Sequence, residues 1–194
     1  MKKYKIILAS NSPRRKELLA GLGVPFEIKL IPGIEESYPA DLPIHKIPQY
    51  ISAEKAAAYS IAEDELLITA DTVVVLGEHI LGKPADAEEA KNMLRELSGK
   101  THLVITGVCL TTCRKQRKFS VSTKVTFKNL TEEEINFYVS RYQPFDKAGA
   151  YGIQEWIGYI GVTGLEGSYF NVMGLPVQRI YEELSSEFGV VCYE

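Results

Sequence analysis

The apolar run at residues 5–9 breaks off into Ser10-Asn11-Ser12-Pro13-Arg14-Arg15-Lys16, and this junction constrains the fold more than any other stretch of the chain. The run is β-branched and reads as a buried strand ending in a loop. Ser12 is a natural N-cap and Pro13 suits the first helical position. Leu18, Leu19 and Leu22 then form an apolar stripe that ends near Gly21 and Gly23. The result is a strand, a polar loop and a helix, the opening unit of an α/β fold.

The same grammar continues along the chain. Residues 26–31 read as a second strand, and the three prolines in 38–48 mark connecting structure before Pro48 opens an alanine-rich helix through Lys55 to about Ala62. Residues 66–70 and 73–76 read as strand, interrupted by Asp71-Thr72. Gly77-Glu78-His79 and Gly82-Lys83-Pro84 read as turns. Asp86 with Glu89, and Thr131 with Glu134, have capping-box spacing ahead of two helices. Residues 102–111 and 119–127 alternate like the arms of a hairpin. Residues 146–176, rich in glycine and aromatics, read as irregular backbone, followed by a helix over 177–184 and a short strand over 190–193. With no repeat or linker, one domain over residues 1–194 is expected.

Composition narrows the function classes. With 45% hydrophobic and 24% charged residues and a net charge of −3, the chain is ordinary for a globular protein and has no excess positive charge to draw it to nucleic acid or anionic lipid. Any grip on phosphate must be local. Cys109, Cys113 and Cys192 are an odd, sparse set that suits reduced thiols better than a disulfide framework or a zinc site. The lysines at the amino terminus look like a signal n-region, but the apolar stretch after them is too short, and no segment approaches a membrane span. A cytoplasmic protein is expected.

Two constellations point to chemistry. At the 10–16 junction, backbone N–H groups, the helix dipole, hydroxyls and guanidinium groups would together form a phosphate cradle, with Arg14 and Arg15 reaching different parts of a ligand. A solvated basic first turn is the plainer alternative, though positive charge at this end of a helix opposes the dipole unless an anion is present. The second constellation is Asp71-Thr72 at the break of a buried strand, where a carboxylate can hold a divalent cation or take a proton from an attacking water. If the strands carrying Ser10 and Asp71 run parallel, both lie on one rim of the sheet. A turn aspartate capping its own backbone would look the same. Lys55, Lys83 and Lys147 are weaker signals, because a lone lysine is ordinarily solvated. Glu35 and Glu36 are either a polar loop or partners of Asp71 in a metal site. Gln154 offers a donor and an acceptor side by side, as reading a base edge requires. His45, His79 and His102 have no metal-ligand spacing, and the P-loop, dinucleotide-binding and nucleophile-elbow motifs do not occur.

Taken together, Leu8-Ala9-Ser10-Asn11-Ser12-Pro13-Arg14-Arg15, Ala70-Asp71-Thr72, Gly82-Lys83-Pro84, Leu97-Ser98-Gly99, the stretch from Asp146 to Gln154, Gly167-Ser168-Tyr169 and Gly174-Leu175-Pro176 closely resemble the Maf family of nucleoside triphosphate pyrophosphatases over essentially the whole chain. The resemblance implies a single-domain α/β fold with a mixed sheet, flanking helices and a deep cleft, related to inosine triphosphate pyrophosphatases and often homodimeric. It implies hydrolysis between the α and β phosphates of a nucleoside triphosphate, with magnesium or manganese. Asp71 matches the family's catalytic acceptor, and Ser10, Arg14, Glu36, Lys55 and Lys83 match its substrate-binding and catalytic positions; Asp71 and Glu36 are the expected metal ligands. Lys147, within a matching motif, joins the expected substrate contacts. Arg15, Thr72 and Gln154 match the positions that set substrate choice, and those residue types resemble the branch that prefers dTTP and UTP. Glu155-Trp156 departs from the small glycine-rich segment of many relatives; Trp156 either stacks on a base or fills core. Two rival readings use the same residues, a nucleotidyl transferase and a nucleotide-binding regulator of cell division without turnover.

Overall fold

The structure is a computed structural model that describes residues 4–192. In chain order the elements are β1 (Lys5–Leu8), α1 (Pro13–Ala20), β2 (Phe26–Ile28), α2 (Ile47–Ala57, preceded by a 3-10 turn), β3 (Glu65–Leu76), β4 (His79–Leu81), α3 (Ala87–Leu97), β5 (Thr101–Thr111) and β6 (Gln116–Phe127). They continue with α4 (Glu132–Tyr142), α5 (Trp156–Gly161), β7 (Val162–Glu166), α6 (Tyr169–Met173) and α7 (Val177–Phe188). The sheet is mixed and runs in the order β2-β1-β3-β5-β6-β7, with β4 on β3. β1 is parallel to β2 and β3, whereas β4 and β7 pair antiparallel to β3 and β6. The chain is therefore α/β with helices flanking a mixed sheet.

Two compact units divide the chain, one gathering the residues through Asp71, Thr106–Val121 and those from Gly174 onward, the other Thr72–Ile105 and Ser122–Met173. In the first, Ile7, Leu67, Ala56 and Cys109 pack together, so β1, α2, β3 and β5 share one core. In the second, a larger cluster that includes Leu94, Leu97, Phe127, Ile135 and Tyr138 buries the apolar faces of α3 and α4. Burying each such large side chain contributes about 1.5–3 kcal/mol.

Several expectations need correction. β3 is continuous through Asp71-Thr72, so Asp71 lies inside a strand and not at its end. The pairing of β1 with β3 stops at Leu8 opposite Ile68, and Ala9 closes it by donating to Ile68 O. The parallel neighbour thus ends before Asp71 while β3 runs on. β2 is shorter than expected because the Tyr59 hydroxyl takes over its ladder, donating to Lys29 O and accepting from Ile31 N–H. α2 stops at Ala57, where Ala58 and Tyr59 turn back to carbonyls three residues behind. Residues 146–176 hold β7, α5 and α6 and are not merely irregular. The final helix extends to Phe188, where Gly189 at φ 67° supplies the left-handed cap. Residues 190–192 form no strand, and Tyr193 lies outside the described residues.

The helix starts largely follow the sequence. The Ser12 hydroxyl caps α1, and Thr131 with Glu134 makes a complete capping box on α4. On α3 the box is only half made: Asp86 accepts from Glu89 N–H, but Glu89 reaches back to Ala85 N–H.

α2 is docked by two features of the first unit. A Cβ on Gly107 in β5 would lie 2.1 Å from Gln49 N and 2.2 Å from Pro48 C, so only glycine lets the start of α2 approach this strand. The Thr69 hydroxyl on β3 donates to Ser52 O on α2 at 2.6 Å. Gly107→Ala is expected to cost at least about 2 kcal/mol, read as a lowered urea midpoint, because backbone must move to admit the methyl group.

In the second unit His102 is buried, with Nε2 2.7 Å from the Tyr151 hydroxyl and its ring edge-on to Phe127 and Tyr151. Burial pulls its pKa down to about 4. The unfolded chain, with an ordinary histidine near 6.5, binds the proton that the folded state refuses. Stability from this group is complete above the unfolded value and is lost as pH falls from about 6.5 toward 4, by about 3 kcal/mol in all. Urea midpoints measured between pH 7 and pH 4.5 should fall less steeply in His102→Gln, which keeps a polar partner for Tyr151 but does not titrate.

Candidate active site

The first unit assembles a charged cluster around β3. Thr69 and Asp71, two apart on a strand, project to the same side. Ser52 and Lys55, three apart on α2, lie on one helix face. The Thr69–Ser52 tether therefore brings Lys55 opposite Asp71: its Nζ donates to Asp71 Oδ1 at 3.0 Å and lies 2.8 Å from Glu36 Oε1. Asp71 is buried, Lys55 nearly so, and Glu36 half exposed.

The loop before α1 meets β3 in the same unit. Arg15 donates from Nη1 to Ala70 O at 2.9 Å and from Nε to Gly174 O at 2.8 Å, so its guanidinium braces the backbone beside Asp71. Burial pushes the Arg15 pKa down from its ordinary value; Asp71 and Glu36 oppose that shift, and Arg14 adds to it. Arg15 thus sits in the fields of Asp71, Arg14 and Glu36. Ser10 is buried at the end of β1, and its hydroxyl accepts from Ser12 N–H at 3.2 Å. Ser12 Oγ in turn accepts from Arg15 N–H at 3.4 Å. Two backbone donors expected to face an anion are therefore used within the loop.

Thr72, Lys83, Lys147 and Gln154 belong to the second unit. Thr72 follows Asp71 on β3 and is half-buried, and Lys83 is exposed in the segment between β4 and α3. There Gly82 O accepts from Gly149 N–H at 3.0 Å. Lys147 is buried, with Nζ 2.8 Å from Asp146 Oδ1 and 3.2 Å from Glu155 Oε1. The other Glu155 oxygen accepts from the Tyr138 hydroxyl, which accepts from Gly152 N–H. Burial and Glu155 together push the Tyr138 pKa up. This chain of contacts pins both ends of the segment carrying Gln154. Among the described residues, Gln154 Oε1 is buried with no hydrogen-bond partner. Trp156 packs edge-on against Phe137 at 4.8 Å and against the core of the second unit.

The sequence reading missed Thr69, Gly107 and Tyr138, and noted Glu155 only as a departure from the family pattern. Gly107 alone carried a local signal, a glycine within a strand pattern; the others act through partners distant in the chain.

No group of three or more histidine, cysteine, aspartate or glutamate side chains that could hold a metal occurs among the described residues. Asp71 and Glu36 nonetheless converge on one cation, the Lys55 ammonium. Two carboxylates completed by phosphate oxygens and water are a normal donor set for magnesium, so the residues fit a metal that arrives with a phosphate ligand.

A parallel strand-loop-helix with hydroxyls and arginines beside a lysine-paired carboxylate defines an α/β protein equipped for an anionic, phosphate-bearing ligand. The family model described as "Maf-like protein" matches residues 5–187, and the chain belongs to that family. It is similar to a Phocaeicola vulgatus protein named dTTP/UTP pyrophosphatase, 63% identical over 186 residues that make up 95% of this chain and 96% of the relative. Proteins of the same name from Bacteroides thetaiotaomicron and Porphyromonas gingivalis are 61% identical, over 94% of this chain and 95% of the relative, and 56% identical, over 97% and 96%. A solved structure described as a HAM1 protein from Coxiella burnetii aligns with 64% of this chain and 73% of its own at a TM-score of 0.42 and 13% identity, too distant to support an argument.

If Arg15 braces β3, Arg15→Lys cannot serve both carbonyls and leaves one unpaired. A loss of about 1–3 kcal/mol in urea unfolding is expected.

Proposed function

We propose that the protein is a nucleoside triphosphate pyrophosphatase that hydrolyses dTTP and UTP to the monophosphate and pyrophosphate. The observation that carries the reading is the buried Asp71 carboxylate, paired with Lys55 and braced through Ala70 by Arg15, in a member of the Maf family. The names of the relatives supply the substrates. Residues 1–194 act as one catalytic domain in this reading.

Asp71 accepts the proton of the water that attacks the α-phosphorus. Ser10 and Arg14 orient the phosphates, and Lys55 offsets the negative charge that grows on phosphate oxygens and departing pyrophosphate. Asp71 and Glu36 would hold a magnesium or manganese ion, which supplies charge neutralisation and a more acidic bound water. Lys83 takes the charge-stabilising role that the family resemblance implies. Arg15, Thr72, Lys147 and Gln154 contact the substrate in this reading, with the unpaired Gln154 Oε1 as the acceptor that would read a pyrimidine N3–H.

Asp71→Asn tests the reading. It preserves shape and removes the base, and pyrophosphate release from UTP should fall by about 10²–10⁴-fold while the thermal melt is retained. A folded variant with full turnover sinks the role of Asp71. A wild-type protein that binds UTP without releasing pyrophosphate is a binder, and one that releases it only with an added acceptor is a transferase.

A further inference from the structure

We propose that Lys55 is the resident counter-cation of the Asp71–Glu36 pair, holding the place of the divalent ion until a triphosphate arrives, so that metal binds weakly by itself and firmly only with substrate. The inference rests on the reading above that these two carboxylates are the metal ligands. Lys55 Nζ contacts Glu36 Oε1 at 2.8 Å and Asp71 Oδ1 at 3.0 Å, bridging both acids at once. The bridge is held from behind, because the Thr69 hydroxyl ties α2 to β3 one helical turn before Lys55 and Gly107 lets the start of that helix approach β5.

A divalent ion bound to the same two acids would lie closer to their oxygens than the ammonium does, since magnesium–oxygen distances are about 2.1 Å. Two cations sharing two carboxylates in a partly desolvated place repel one another. No third acid, histidine or cysteine forms a ligand cluster here among the described residues, so the protein by itself cannot offset that repulsion. A triphosphate can. It brings several negative charges, accepts the metal on its own oxygens, and gives the ammonium a new anionic partner. The flexible four-carbon stem of lysine allows this transfer from carboxylate to phosphate without movement of α2. Lys55 in this account suppresses idle metal binding and moves onto the phosphates only when the metal and nucleotide are both present.

The test is Mn²⁺ titration of the full chain without nucleotide, following free Mn²⁺ by electron paramagnetic resonance. Lys55→Gln and Lys55→Met should each bind Mn²⁺ at least about tenfold tighter than wild type, a shift of the size expected from removing one nearby charge. Lys55→Arg, which retains the charge, should remain weak. Adding Asp71→Asn to Lys55→Gln should abolish the gain. Unchanged affinity in both neutral variants overturns the proposal and leaves the pyrophosphatase reading standing, because that reading is decided separately by turnover of Asp71→Asn. A gain that survives Asp71→Asn places the metal elsewhere and overturns both the placeholder role and the assignment of the metal ligands. The wild type gives an independent check by NMR of the Lys55 ammonium: its signal should move with Mg²⁺ plus a non-hydrolysable UTP analogue and stay fixed with Mg²⁺ alone. A shift with Mg²⁺ alone overturns the proposal.

Discussion

A carboxylate inside a buried strand is expensive to fold, and the pairing of Asp71 with Lys55 makes it tolerable. The pair forms only if α2 lies against β3 in one register, because Lys55 must arrive one turn after the Ser52 carbonyl that Thr69 holds. That register depends in turn on Gly107, where any side chain would push the start of the helix away from β5. The electrostatics of the site and the packing of the first unit are therefore the same constraint seen twice. Weakening the dock would leave a buried charge uncompensated, and removing the charge would leave Lys55 with Glu36 as its acidic partner.

Local signals were legible where the physics is local. Ser12 and Pro13 start α1, Thr131 and Glu134 cap α4, and Asp71 stood out as a charge amid β-branched residues. The misreading of β3 has a clear cause. A polar pair within an apolar run looks like a strand break when only neighbours in sequence are seen. Here the strand continues past the end of β1 because β5 flanks its other edge and β4 pairs with Val74, Val75 and Leu76. Lys55 was harder still. A lysine on an alanine-rich helix is ordinarily solvated, and its acidic partners lie 16 residues on in β3 and 19 back in a loop. β7 was hidden because Gly164 interrupts a five-residue strand whose pairing with β6 also carries a bulge.

The second unit shows a different use of charge. Lys147, Glu155 and Tyr138 form a largely buried chain of contacts ending on Gly152 N–H. Such a network fixes backbone. The segment it fixes carries Gln154, whose buried Oε1 lacks a partner, and an unpaired buried acceptor costs about 1–3 kcal/mol. Glu155 closes the network, and Trp156 packs edge-on against Phe137.

Arginine 15 ties these arguments to catalysis. Its fork donates to two carbonyls, one of them immediately before Asp71, so it acts on the backbone from which the carboxylate projects. Preorganisation matters most for groups that must not rearrange as charge develops, and a guanidinium held by two backbone acceptors is a stiffer brace than a solvated lysine. Lysine 55, with only side-chain partners, is the opposite kind of cation, able to exchange one anion for another. A site that must hold its base still while handling a ligand with several negative charges needs both kinds, and the chain places one on the carbonyl before Asp71 and the other on its carboxylate.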